Sequence, residues 1–196
     1  MKCLIVTAHP LSECLCAFLA RETAGALESG GHDVTVEDLY QARFEPALTP
    51  AERQSYYSGK YDDSAVKRHT HRLLETEALV LVFPTWWFGF PAILKGWFDR
   101  VWGPGIAYDH AGDFGPITPR LRNLRRLLAI TTLGAPGWVD YLIMRRPLRR
   151  ILKTAILSAC APDCKFQMLS LYKCEKLEPG AAHNFAQRIA NTIGKW

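Results

Sequence analysis

The chain has no apolar run near the roughly 18–20 residues needed to span a bilayer, so membrane insertion is not expected. Its start, Met1 to Ala8, carries one lysine and a short apolar stretch before His9-Pro10, a strand candidate and no secretory leader. With neither feature, a cytoplasmic location is the expectation. The chain also lacks the G-x-G-x-x-G and G-x-x-x-x-G-K-[ST] patterns, so neither a Rossmann dinucleotide loop nor a P-loop is supported. Cysteine is present, as Cys3, Cys14, Cys16, Cys160, Cys164 and Cys174, but without framework spacing. Cys3 falls in a strand pattern, Cys14 and Cys16 point apart on a helix, and Cys160 and Cys164 have no nearby His or Cys pair to complete a zinc site. No metal is expected, and all six read as thiols. Repeats, low-complexity tracts and domain linkers are missing too, and 196 residues with 48% apolar and 22% charged content suit one soluble domain over 1–196.

What is present is modestly cationic. The formal net charge of +5 rests largely on Arg120, Arg122, Arg125, Arg126 and on Arg145, Arg146, Arg149, Arg150. Such stripes attract phosphates or an anionic protein surface, or serve only as solvated helix faces; nucleic acid is not the expected partner.

The most informative stretch is Phe83 to Trp102. Ala78 to Phe83 is a continuous apolar run, Pro84 closes it, and Pro91 sits where a helix would begin. Leu94, Trp97, Phe98, Val101 and Trp102 recur at helical spacing until Gly103-Pro104-Gly105. The pattern is strand, aromatic loop, helix. A strand end presenting Thr85, Trp86, Trp87 and Phe88 offers flat apolar walls and backbone N–H groups suited to a planar heteroaromatic ligand. The same rings would also serve as core or as a dimer interface.

The remaining elements alternate. Strands are expected at Lys2–Ala8, Val34–Leu39, Leu127–Thr132 and Phe166–Tyr172, with helices from about Ser12 to Ser29, over Val66–Thr76, mostly over Val139–Ala159, and over Ala181–Ile193. Thr49-Pro50-Ala51-Glu52 is a capping box with proline at the first helical position, and a short helix follows it. Gly103 to Pro119 is too long for a simple connection and is a candidate functional loop. Alternating strands and helices imply a parallel sheet covered on both faces. Five such units give a flavodoxin-like three-layer sandwich with strand order 2-1-3-4-5, whose ligand crevice lies at the carboxyl ends of the first and third strands.

Three unusual loops follow the first, third and fourth strands and would meet at that edge. The first runs from Ala8 to Cys16, where a helix amino end offers free N–H groups to an anion and His9 adds a hydrogen bond. The second is the aromatic loop. The third, Thr131 to Trp138, has threonine hydroxyls and glycines that let backbone approach the edge of a ring. Tyr108, Asp109 and His110, in the long loop, could orient a flat substrate and supply a proton.

With these residues placed, the chain resembles the NAD(P)H:quinone oxidoreductase family of flavodoxin-like flavoproteins, the DT-diaphorase type with its short bacterial relatives. The likeness is carried by Ala8-His9-Pro10, by Asp38-Leu39-Tyr40, by Leu48-Thr49 through Glu52, and above all by Trp87 through Val101. It implies a bound FAD or FMN, NAD(P)H as co-substrate, a quinone-like acceptor, and a homodimer with the active site at its interface. It further implies that His9, Leu15 and Cys16 line the flavin phosphates and that Pro84, Thr85, Trp86, Trp87 and Phe88 lie along the isoalloxazine. Thr131, Thr132, Leu133 and Gly134 would complete the ring's edge, with Tyr108 and His110 as catalytic residues over the substrate. The sequence departs from the family at Cys14 and Cys16, where Ser and Asn are common, at His110 in place of a tyrosine, and at Leu133-Gly134 in place of two glycines. Because related proteins also serve as ancillary subunits of bacterial potassium efflux systems, a flavin- or nucleotide-binding regulatory subunit is the alternative, motivated by Arg145 to Arg150.

Overall fold

In the computed structural model, which describes residues 1–110 and 115–196, the chain runs β1 (Lys2–Thr7), α1 (Leu15–Ser29), β2 (Asp33–Asp38), α2 (Pro50–Ser55), α3 (Lys67–Glu75), β3 (Ala78–Pro84) and α4 (Ala92–Val101). It continues through two short strands, β4 (Tyr108–Asp109) and β5 (Thr118–Pro119), then β6 (Arg126–Thr132), an irregular helical stretch containing α5 (Pro147–Arg150) and α6 (Ser158–Cys160), β7 (Lys165–Leu171) and α7 (Ala181–Ile193). β2, β1, β3, β6 and β7 form one sheet in that order, paired in parallel throughout. This is the expected 2-1-3-4-5 arrangement.

β3 sits at the centre with every residue buried, as its unbroken apolar run requires. The two-residue strand period divides its neighbours between the faces. Cys3, Ile5, Val80, Val82, Leu128 and Ile130 pack against Leu19 and Leu27 of α1 and Phe185 and Ile189 of α7. Leu4, Val6, Leu79, Leu81, Phe83 and Ala129 pack against Leu73 of α3, Leu94, Trp97 and Phe98 of α4, and Leu148, Leu152 and Leu157 of the irregular stretch. Each large apolar side chain so buried contributes roughly 1.5–3 kcal/mol. Gly96 lets the chain at Pro46 lie directly against α4, since a Cβ there would sit 2.2 Å from the Pro46 carbonyl oxygen.

The expected capping box is present. The Thr49 hydroxyl accepts from the Glu52 N–H at 3.2 Å, and the Glu52 carboxylate accepts from the Thr49 N–H at 2.7 Å. Glu52 also holds the buried Arg100 guanidinium of α4 at 2.6 Å, a long-range pair that the local pattern does not reveal. Burial pushes the Glu52 carboxyl up, but the Arg100 and Thr49 hydrogen bonds outweigh it and hold the group below its ordinary value.

Three expectations need correction. The first helix begins at Leu15, not Ser12, because the Cys14 sulfur caps it by accepting from the Ala17 N–H at 3.4 Å. The helix expected over Val139–Ala159 is broken: Arg145 and Arg146 are left-handed, with φ of 54° and 52°, and the flanking segments close wider π-type turns. Pro147 disfavours the right-handed helical conformation at Arg146, the residue before it, which keeps a regular helix from running through that position. The loop over Gly103–Pro119 contains the β4–β5 ribbon, with Tyr108 opposite Pro119, while residues 111–114 of it lie outside the described residues.

Candidate functional site

β1, β3 and β6 end together, so their following loops meet at the carboxyl edge of the sheet, where the connections from β1 and β3 diverge. The Thr85 N–H donates to the Thr132 carbonyl at 2.8 Å, and the Thr85 and Thr131 hydroxyls are 2.5 Å apart. Cys16 Sγ lies 3.7 Å from Thr132 Oγ1. The His9 and Trp86 rings are 6.3 Å apart. Twelve of the expected site residues, His9, Leu15, Cys16, Pro84 to Phe88 and Thr131 to Gly134, therefore belong to one contiguous edge.

The aromatic loop is the unusual part. Trp86 and Gly89 exchange two backbone hydrogen bonds, at 3.3 and 2.9 Å. The two residues between them, Trp87 and Phe88, are both left-handed, with φ of 51° and 56°. This is the form of a type I′ turn, which normally takes Asn-Gly or Gly-Gly. Bulky residues at such angles cost on the order of 1–3 kcal/mol each and are found mainly at binding and catalytic sites. The turn is anchored from below by Phe90, whose ring lies 5.5 Å from Phe83 and 5.4 Å from Phe98. Above, it leaves Trp86 exposed at 42% and Trp87 at 97%. The strain therefore holds an indole in solvent rather than in the core.

Around this platform the polar groups have distinct tasks. The Leu11 N–H donates to His9 Nδ1 at 3.1 Å, so Nε2 is the ring nitrogen that this contact leaves for a ligand. The N–H groups of Leu15 and Cys16 occupy the first turn of α1, where helix geometry gives them no intrahelical acceptor. The Cys16 side chain, in contrast, is buried against the core and Thr132, and burial pushes its thiol up to about 12 despite the hydroxyl's hydrogen bond. Only the backbone of Cys16 is available to an anion. Thr131 and Thr132 are buried, and the Leu133 N–H donates to the Leu171 carbonyl at 2.9 Å. These residues brace the edge, leaving exposed Gly134 as its accessible backbone. Sequence reasoning missed Glu175, whose carboxylate would lie 2.8 Å from a Cβ on Gly134, so that this flexible side chain would have to swing aside for a larger residue there. It lies beyond β7, and no local pattern links it to Gly134.

Tyr108 and His110 are placed elsewhere. Their rings are 5.1 Å apart, and His110 lies 5.0 Å from Tyr57. The ribbon is tied through the Arg120 N–H to the Ala107 carbonyl, and through the Leu121 N–H to the carbonyl of Cys160, just before β7 begins. α4 has carried the chain back to the amino end of the sheet, so within one chain these two residues stand apart from the aromatic loop. Burial pushes the Tyr108 hydroxyl up to about 12. Among the described residues, no group of three or more His, Cys, Asp or Glu side chains is placed to hold a metal ion.

A doubly wound parallel sheet with its ligand loops gathered at the switch point defines the flavodoxin-like class. The family described as having a flavodoxin-like fold matches residues 1–193, and the chain belongs to it. It is 39% identical over 108 residues to an uncharacterized NAD(P)H oxidoreductase, YcaK, of Escherichia coli, covering 53% of this chain and 54% of that protein. It is 30% identical over 186 residues to NAD(P)H dehydrogenase [quinone] 1 of Cavia porcellus, covering 86% of this chain and 66% of that one. The matched portions thus span from about half to just under two thirds of these relatives' length. Among solved structures, an NAD(P)H:quinone oxidoreductase from Methanothermobacter marburgensis shares the fold, with a TM-score of 0.87 at 23% identity, over 99% of this chain and 98% of that one.

Proposed function

We propose that this protein is a flavin-dependent NAD(P)H oxidoreductase that passes two electrons, as hydride, to quinones or to related nitro or azo acceptors. The observation that carries this reading is the left-handed Trp87-Phe88 pair, a strained turn that presents an indole face at the switch point of the sheet. The names of the relatives, NAD(P)H oxidoreductase and NAD(P)H dehydrogenase [quinone], support it. They also favour a free enzyme over a transport-system subunit.

The residues fit FAD or FMN. Leu15 and Cys16 would receive the phosphate through backbone N–H groups, aided by the positive end of α1, and His9 would donate from Nε2. Trp86, Trp87 and Phe88 would lie along the flat ring with Pro84 and Thr85 beneath, while Thr131, Thr132 and Leu133 hold the position of Gly134 at its edge. The flavin, when bound, supplies the hydride chemistry; the protein binds, orients and excludes water. Because Tyr108 and His110 stand apart from the loops of their own chain, they would serve as catalytic residues on the site of a second copy, which makes the working unit a homodimer. A cytoplasmic location suits this reading; among the described residues no helix is long and apolar enough to cross a membrane.

A single site that alternates donor and acceptor requires ping-pong kinetics. Parallel double-reciprocal lines with NADPH and a benzoquinone are the expected result. Purified protein that carries flavin yet oxidises neither NADH nor NADPH with any quinone would overturn the proposal.

A further inference from the structure

The arginine-rich segment after β6 is built in an unusual way. Four successive apolar residues, Tyr141, Leu142, Ile143 and Met144, are exposed, Leu142 at 71% and Ile143 at 64%. The backbone forces them outward. The Met144 N–H donates to the Val139 carbonyl at 2.9 Å and the Arg146 N–H to the Asp140 carbonyl at 2.8 Å, which closes a wide turn through the left-handed Arg145 and Arg146. Scattered surface apolar residues are ordinary, but a contiguous tip marks a contact surface.

The charge around the tip is of one sign. The segment's carboxylate, Asp140, is buried and accepts from the Tyr172 hydroxyl at 2.8 Å, with Arg146 Nε 4.0 Å away. Arg145, Arg150 and Lys153 are exposed, and among the described residues none of them has an ion-pair partner. An apolar tip with a cationic collar matches a layer that is apolar inside and anionic at its surface. A second copy that met this patch with its own copy of the patch, on a two-fold axis, would instead set the two sets of arginines near each other, with no exposed carboxylate in the segment to answer them. We propose that Tyr141 to Lys153 seats this protein peripherally on an anionic phospholipid bilayer, with Leu142 and Ile143 entering the interface and Arg145, Arg150 and Lys153 meeting the headgroups. The proposal goes beyond the oxidoreductase reading and is tested without flavin turnover.

The full chain is sedimented with vesicles of phosphatidylcholine alone and of phosphatidylcholine mixed with phosphatidylglycerol. Retention by the mixed vesicles only, lost at high salt, is expected. Two double variants keep the fold, since all four residues are exposed: L142S with I143S, and R145E with R150E. Each should lower retention by roughly tenfold or more. No retention of the wild type, equal retention by both vesicle types, or retention indifferent to both variants would overturn the proposal. A dimer-to-monomer shift of L142S/I143S in gel filtration without wild-type lipid retention would assign the patch to a second copy and overturn it equally.

Discussion

Two groups of aromatic residues lie within twenty positions of each other and meet opposite fates. Trp97, Phe98 and Trp102 of α4 and its cap are buried, and their rings touch at 5.3 to 6.1 Å. Trp86 and Trp87 are exposed on a turn whose two central residues carry backbone strain. Hydrophobicity cannot separate the groups, since tryptophan occurs in both. Backbone geometry does: the helix turns its aromatics onto the sheet at a spacing that burial favours, and the turn directs its indoles outward at a cost in conformational energy. The first group holds the fold, and the second is held by it.

The sharpest way to break this comparison is to truncate one tryptophan from each group. Trp97→Ala empties a fully buried site and should cost about 3–5 kcal/mol in urea unfolding. Trp87→Ala should stay within about 0.5 kcal/mol of wild type, as expected of an exposed position. Equal losses would mean that the turn is structural.

The core side of the comparison also contains a charge. Arg100→Met leaves the Glu52 carboxylate buried without its main partner and should cost about 3–5 kcal/mol at neutral pH. Glu52 titrates below its ordinary value of 4.5 when folded, so the stability it contributes is present above that value and lost as pH falls through the lower folded value. Unfolding curves recorded down to acid pH should therefore show the gap between variant and wild type narrowing. A gap that stays constant with pH would contradict the pairing.

On the exposed side, Phe88→Gly relieves a left-handed φ and should raise stability by about 1 kcal/mol while weakening flavin retention. A loss of stability would show that the turn is not strained. The smallest effect is expected at Cys14, where sulfur is a weak helix cap. Cys14→Ser should gain about 0.5–1 kcal/mol in thermal or urea unfolding. Cys16→Asn should gain nothing, because that side chain is buried against Thr132.

How far all this was legible beforehand depended on whether the signal was local. The strand order followed from apolar runs punctuated by glycine and proline, and the capping box at Thr49 followed from four adjacent residues. The convergence of the three loops followed from the strand order alone. What could not be read is set by contacts between distant positions. The direction of the Cys16 side chain depends on Thr132, the place of Glu175 on Gly134, and the partner of Arg100 on Glu52. Tyr108 and His110 were expected over the substrate by likeness, and the return of α4 sets them at the other end of the sheet from the loops of their own chain. The stretch after β6 is expected to be mostly helix because its composition is helical; the interruption at Arg145 and Arg146 lies next to Pro147, a local signal against a regular helix there.

The central claim is that the strain in the Trp86–Gly89 turn exists to hold a flat ring, and flavin titration tests it most directly. FMN and FAD are titrated into stripped wild-type protein and into Trp87→Ala, with folding of both checked in the same buffer. The account predicts saturable binding to the wild type and at least about tenfold weaker binding to Trp87→Ala at unchanged stability, equivalent to roughly 1.4 kcal/mol of lost ring contact. Equal affinity in the two proteins, or failure of the folded wild type to bind either flavin, would contradict it.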